Sequence, residues 1–292
     1  MSTPAPPDRA RTFTDVAELR RLLDAGAPLL LLDVRWRLGD TTGRERHREG
    51  HLPGAVYVDL DAELSAPPSP AHGRHPLPDP AALQESARRW GLRPGMQVVA
   101  YDDAGGAAAA RAWWVLRWAG WEEVRILDGG LAAWRAAGLP LEAGEVEPAP
   151  GDVEPGDVEL SPGAMPVVDA DGAAALPASG LLLDARAGER YRGEVEPVDP
   201  RAGHVPGARN LPPGSLTDGE GLLLPADVLR ERLAQVGVRP GVATAAYCGS
   251  GVFASLAVAQ LAAAGIEAAL YPGSWSQWSS DPARPAATGR EP

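Results

Sequence analysis

One cysteine, Cys248, occurs in the 292 residues of the chain, and its surroundings are suited to nucleophilic chemistry. A single cysteine can form no intrachain disulfide and no thiolate-based structural zinc site. A lone cysteine is most often a small buried core residue, so the case for reactivity rests on its neighbours. Cys248 ends an apolar run over 242–247 with strand character. It is followed by Gly249-Ser250-Gly251-Val252-Phe253-Ala254 and by an apolar helical stretch that reaches Ala264 and stops at Gly265. This places the thiol at the C-terminal end of a strand, below a helix N-terminus. Two glycines let the loop curl with its N–H groups inward, which makes a nest for an anion, and the helix dipole adds to it. Both effects favour the thiolate, the nucleophilic form of cysteine.

The elements that position this loop occur twice. WGLRPGMQVVAYD (90–102) matches VGVRPGVATAAYC (236–248) at a constant offset of 146, LLLLDVR (29–35) matches GLLLDAR (180–186), GHLPGA (50–55) matches GHVPGA (203–208), and LDGGLAAW (127–134) matches YPGSWSQW (271–278). Four blocks in one order with drifting spacing indicate a duplicated domain with loop insertions. The predicted organisation is an N-terminal domain over 1–143, an acidic Pro/Gly-rich linker over 144–165 and a C-terminal domain over 166–292. In the first half, strands are expected at 29–34, 55–59, 97–101 and 123–127, and helices at 15–25, 80–90, 106–119 and 131–137. Asp15 and Glu18 have the spacing of a capping box, and Gly26 stands where that helix should stop. Alternating strands and helices imply an α/β fold in which each half is a parallel sheet with helices on both faces. Ligands bind such sheets where a strand ends and a helix begins. The first half has Asp102 at the position of Cys248. An aspartate cannot carry a persulfide, so the C-terminal half is expected to hold the nucleophile. His51 and His204 occur in both halves and are read as residues of the fold.

The formal net charge is −12, with 27 basic residues, all of them Arg. This argues against duplex nucleic acid or an anionic membrane as the main partner, and any cationic contact in the site must come from Arg or His. No apolar run approaches the roughly 20 residues of a membrane span. The first residues, MSTPAPPDRA, lack the basic and apolar regions of a signal peptide, so a cytoplasmic location is expected.

With these blocks the chain resembles the tandem-domain rhodanese sulfurtransferases, from about residue 13 to 289. The loop Cys248-Gly249-Ser250-Gly251-Val252 is similar to that of the 3-mercaptopyruvate sulfurtransferase branch. The thiosulfate branch carries Arg and Lys directly after the Cys and Gly positions, and this loop does not. A neutral loop suits a donor whose charge lies on a carboxylate remote from the sulfur. The resemblance implies that Arg190, in Arg186-Ala187-Gly188-Glu189-Arg190-Tyr191-Arg192-Gly193, binds that carboxylate, and its planar fork can do so bidentately. Arg186 and Arg192 are read equally well as surface charges. Arg201, just before the second GHxPG block, is a further carboxylate-binding candidate. Gly249, Gly251, Val252 and Phe253 are expected to line the substrate side of the loop. The branch also implies a relay of Ser250, His75 and Asp61, in which His75 protonates the enolate left when sulfur departs and Asp61 orients the ring. Phe253 stands where the family usually has Thr, which bears on donor preference.

The expected activity is sulfur transfer from 3-mercaptopyruvate through a Cys248 persulfide to an external acceptor, a thiol such as that of a thioredoxin-like protein, or cyanide. No metal or organic cofactor is expected. Thiosulfate:cyanide sulfur transfer and a non-enzymatic persulfide carrier are the alternatives. A cysteine phosphatase would need an arginine closing the loop, where this chain has Ala254.

Overall fold

The computed structural model describes residues 9–145 and 156–292. The central part of the expected linker, 146–155, lies outside the described residues. The chain forms two compact units. The N-terminal unit comprises, among the described residues, Ala10–Ala66, 77–145 and 156–165. The C-terminal unit comprises Pro166–Pro292 together with Arg9 and Pro67–Pro76. A short segment of the first half therefore packs within the C-terminal unit, a placement that local sequence signals do not encode.

The N-terminal sheet contains β1 (Phe13–Thr14), β2 (Leu29–Asp33), β3 (Val56–Tyr57), β4 (Gln97–Tyr101) and β5 (Val124–Leu127). All strands are parallel and run in the order β1-β5-β4-β2-β3. The C-terminal sheet contains β6 (Leu181–Asp184), β7 (Arg209–Asn210), β8 (Thr244–Tyr247) and β9 (Ala269–Leu270), again parallel, in the order β7-β6-β8-β9. Here the counterpart of β1 has shrunk to a single bridge between Val167 and Leu270. Both sheets are flanked by helices, as the alternating pattern requires.

The helices expected at 15–25, 80–90, 106–119 and 131–137 are found as Val16–Asp24, Pro80–Arg89, Ala107–Trp118 and Gly130–Ala136. Asp15 caps the first of these by accepting from the Glu18 N–H at 2.8 Å. The strand expected at 55–59 covers just Val56–Tyr57, because the Asp59 carboxylate accepts from the N–H groups of Asp61 and Ala62 and starts a helical turn instead. The run at 242–247 begins its ladder at Thr244, since Val242 still closes a turn onto the Arg239 carbonyl. β1 escapes the sequence pattern because two residues are too few to show an alternation. Among the described residues no helix is long and apolar enough to cross a membrane.

Two helices, Ala107–Trp118 and Val252–Ala263, are buried on nearly every face. Their apolar sequences have no polar stripe to turn to water, so each is packed firmly with its N-terminus at the end of a central strand. Beside them the repeated blocks make repeated contacts. Asp33 pairs with Arg35 at 2.9 Å, and Asp184 pairs with Arg186 at 2.6 Å. Each arginine also donates to the carbonyl that precedes a GHxPG histidine, Gly50 or Gly203, at 2.6 Å. The Tyr101 and Tyr247 hydroxyls accept from Leu52 and Val205 N–H at 3.0 Å. His51 and His204 are fully buried and donate through Nδ1 to the carbonyls of His47 and Tyr191 at 2.8 Å. His47 stacks on His51 as Tyr191 stacks on His204, which makes Tyr191 the counterpart of His47 and Arg190 that of Arg46.

Candidate active site

β6 and β8 are neighbours, yet β6 leads on to β7 on one side of the sheet and β8 to β9 on the other. Loops leaving a sheet at such a point diverge and open a crevice. Cys248 follows β8 directly and is 2% exposed. Its Sγ receives N–H donors from Gly251 at 3.1 Å and Ser250 at 3.4 Å. Gly251 adopts φ +85°, a conformation open to glycine at little cost, and this turn aims its N–H at the sulfur before Val252 begins the helix. Ser274 fastens the loop from the other side. Its Oγ accepts from the Cys248 N–H at 3.1 Å and donates to the Tyr271 carbonyl at 2.9 Å. Among the described residues Ser274 is the non-glycine residue with positive φ, at 52°, and its counterpart Gly130 has φ 53°. The repeat prescribes the backbone there, and the serine hydroxyl offsets a strain of about 1–2 kcal/mol.

The same loop in the N-terminal unit is closed by its own side chains. Asp102 Oδ1 accepts from the N–H groups of Ala104 and Gly106, and Oδ2 from Ala108 and Ala109, at 2.8–3.1 Å. The cradle already holds a carboxyl, whose pKa burial pushes up against those hydrogen bonds. Asp103, the counterpart of Gly249, pairs through Oδ2 with Arg46 at 3.2 Å and Arg37 at 3.3 Å.

In the C-terminal unit a row of alternating charges leads to the loop. Asp184 holds Arg186, and Glu196 bridges Arg186 at 3.3 Å and Arg190 at 2.6 Å. Asp199 bridges Arg190 at 3.0 Å and Arg74 in a close contact. Side-chain exposure rises outward along the cations, from 2% at Arg186 to 19% at Arg190 and 24% at Arg74. The last two meet the loop at Gly249, where a Cβ would lie 2.9 Å from Arg74 Nη2 and 3.6 Å from Arg190 Nη1. Gly249 does not have positive φ. The missing side chain leaves room for guanidinium groups to approach the main chain beside Cys248.

Arg190 thus lies at the loop. Arg201, the further carboxylate-binding candidate, is engaged with the main chain of the C-terminal segment. Its guanidinium donates to the carbonyls of Trp278, Ser279, Asp281 and Arg284, at 2.7–3.0 Å, and so holds the C-terminal segment. Arg186 is a buried structural cation, whereas Arg192 pairs near the surface with Glu194 at 2.7 Å. Phe253, expected along the substrate wall, is 47% exposed on the first turn of its helix. Ser250 and His75 are each 6% exposed and belong to the same compact unit. Asp61 belongs to the N-terminal unit, where its Oδ1 accepts from Trp36 Nε1 at 3.0 Å. Arg74 and Ser274 were not singled out from the sequence. The difference between Gly130 and Ser274 in otherwise aligned blocks was a legible signal for the latter, whereas Arg74 lies in a segment with no repeat partner. Among the described residues no group of three or more His, Cys, Asp or Glu is arranged to hold a metal ion.

Two parallel α/β units, one with a cysteine in an N–H-lined loop at its switch point, define the class of protein. The Rhodanese-like domain family matches residues 15–137 and again 169–281, and the chain belongs to that family. It is 48% identical over 281 residues to a Mycobacterium tuberculosis protein provisionally named thiosulfate sulfurtransferase SseB, covering 96% of this chain and 98% of that one. It is 49% identical over 268 residues to a Pseudomonas aeruginosa protein provisionally named 3-mercaptopyruvate sulfurtransferase, covering 89% and 93%. Among solved structures, the 3-mercaptopyruvate sulfotransferase SseA of Escherichia coli superposes with a TM-score of 0.78 at 32% identity, over 90% of this chain and 98% of that one.

Proposed function

We propose that this protein is a sulfurtransferase that moves sulfur from 3-mercaptopyruvate, through a persulfide on Cys248, to an external thiol or cyanide. The observation that carries the reading is the pair of main-chain donors on Cys248 Sγ beside a glycine over which Arg190 extends. The C-terminal domain, 166–292, would carry the chemistry, and the N-terminal domain, 1–143, would support it across the linker at 144–165.

In the first half-reaction the Cys248 thiolate attacks the donor sulfur. An S–S bond forms, the donor C–S bond breaks, and the electron pair leaves as the enolate of pyruvate. A proton delivered to that enolate completes pyruvate and leaves the persulfide. His75 is the proposed proton donor, with Ser250 as its partner in the relay. The loop N–H groups supply fixed dipoles for the negative sulfur before and after transfer. Arg190 binds the donor carboxylate through a charge-assisted contact, whose loss should cost roughly 2–4 kcal/mol of transition-state binding. In the second half-reaction an acceptor thiolate attacks the outer sulfur and releases the Cys248 thiolate. The acceptor is external because the chain has one cysteine. A cytoplasmic location, with its reduced thiols, is consistent with such acceptors.

A second reading, thiosulfate as donor, is favoured by one feature: although the loop sequence is neutral, Arg74 and Arg190 bring two cations to Gly249. Mass spectrometry and side-by-side kinetics test both. Treatment with 3-mercaptopyruvate should add the mass of one sulfur to the chain, Cys248→Ser should abolish the gain and the turnover, and kcat/KM should be higher for 3-mercaptopyruvate than for thiosulfate. Turnover by the serine variant would refute the persulfide, and a preference for thiosulfate would replace the first donor by the second.

A further inference from the structure

We infer that Glu196 and Asp199 set the charge of the sulfur donor: they cancel the cations at the cysteine loop and so select a singly charged donor over a doubly charged one such as thiosulfate. The inference rests on the reading of Cys248 as the sulfur carrier. The two acids stand in a stretch of inverted polarity. Their side chains are buried, whereas Val195 and Val198 beside them are exposed. Taking a carboxylate out of water is costly unless cations and hydrogen bonds compensate. Here both are present. Glu196 reaches Arg186 and Arg190, Asp199 reaches Arg190 and Arg74, and Glu196 Oε1 also accepts from the Val198 and Asp199 N–H groups at 3.1 and 3.0 Å. The acids are thus fixed in place among the guanidinium groups.

The other repeat meets the same need differently. Arg46, the counterpart of Arg190, stands four residues before Gly50 and finds its acids elsewhere, Asp40 ahead of it and Asp103 in the loop. Arg190 stands thirteen residues before Gly203, and this longer connection carries Glu196 and Asp199. The loop position, Gly249, supplies no acid, so the cations of the C-terminal unit are neutralised without a side chain entering the space beside Cys248.

The sum of these charges decides the field at the sulfur. Asp184, Glu196 and Asp199 alternate with Arg186, Arg190 and Arg74, so the row is neutral although two guanidinium groups meet the loop at Gly249. Buried charges are weakly screened, so the acids are felt at the loop along with the cations. The attacking Cys248 thiolate then adds a negative charge that the row does not balance. Its repulsion acts twice as strongly on a dianion as on a monoanion. With either acid neutralised, the row would carry one positive charge in excess, and the penalty on a dianion would be offset.

The test uses thiosulfate and methanethiosulfonate, which differ by one charge. Each offers an outer sulfur to the Cys248 thiolate; as the new S–S bond forms, the donor S–S bond breaks and sulfite or methanesulfinate leaves with the electron pair. The value of kcat/KM for each, and for 3-mercaptopyruvate, is measured with cyanide as acceptor. In Asp199→Asn and in Glu196→Gln it should rise about tenfold for thiosulfate and about threefold for methanethiosulfonate, since one potential acts on two charges and on one. Asp199→Glu restores the charge, and its thiosulfate to methanethiosulfonate ratio should lie within twofold of wild type. Should Asp199→Asn melt early, Glu196→Gln, which leaves Asp199 between its two arginines, carries the test. An unchanged ratio in the neutral variants, equal losses with both donors, no gain in thiosulfate transfer, or an Asp199→Glu ratio as high as that of Asp199→Asn would overturn the inference. If 3-mercaptopyruvate loads no sulfur onto the wild type while the probe pair responds as stated, the proposed donor fails and the charge selection stands.

Discussion

Asp102 and Cys248 occupy the same position in the two repeats, and main-chain N–H groups are aimed at both side chains, four at the carboxyl and two at the sulfur. One cradle is filled by a carboxyl and the other by the thiol proposed as the nucleophile. The N-terminal loop is therefore a structural element. Asp102→Ala should leave kcat/KM per folded molecule within about twofold of wild type but lower stability by roughly 1–3 kcal/mol, because buried N–H donors lose their acceptor. Denaturant unfolding alongside the transfer assay would show it; a large loss of turnover with unchanged stability would contradict this view.

Gly249 separates stability from substrate binding. A methyl group there meets the far ends of two flexible arginine side chains and no backbone. Gly249→Ala should cost less than about 1 kcal/mol of stability, since both guanidiniums can swing aside. The same displacement should raise KM for 3-mercaptopyruvate about fivefold or more, with little change in kcat. A fall in kcat at constant KM would mean that the loop itself, and not the arginines, had moved.

Ser250 and His75 should act as one unit if they handle a single proton. His75→Ala and Ser250→Ala should each slow transfer from 3-mercaptopyruvate, and the double variant should lose much less than the product of the two factors. Asp61→Asn, measured in the same series, reports whether that carboxylate belongs to the same functional unit. Fully multiplicative effects would remove the relay and leave proton delivery to solvent.

His204 should make the fold sensitive to acid. Burial holds its pKa below the ordinary 6.5, against the opposing hydrogen bond to the Tyr191 carbonyl and the nearby Asp184 charge. The unfolded chain then binds a proton that the folded chain resists. The stability due to the neutral ring is present above about pH 6.5 and is lost as pH falls from there through the folded-state value. His204→Asn keeps a donor near Nδ1 and cannot titrate, so its melting temperature should fall less steeply than wild type between pH 7 and 5. Parallel pH profiles would assign the acid sensitivity to other groups.

Much of this protein is legible in the chain itself. The repeats, the parallel sheets, the main helices and the placement of Cys248 in a strand-to-helix loop follow from local signals: hydrophobic period, caps, and glycines at fixed offsets, each acting over a few residues. The sequence also distinguishes the repeats, since Asp102 and Cys248 align without ambiguity. What tertiary structure alone decided is which charges face the sulfur. Arg201 and Arg190 are both candidates in the chain, but Arg201 spends its donors on four carbonyls while Arg190 is held by two acids with its guanidinium toward the loop. Arg74 gave no signal, being more than 170 residues from Cys248 in a segment without a repeat partner, and it reaches the loop because 67–76 packs within the C-terminal unit. A guanidinium's role depends on which acceptors surround it in space, and the spacing of residues along a chain carries no record of that.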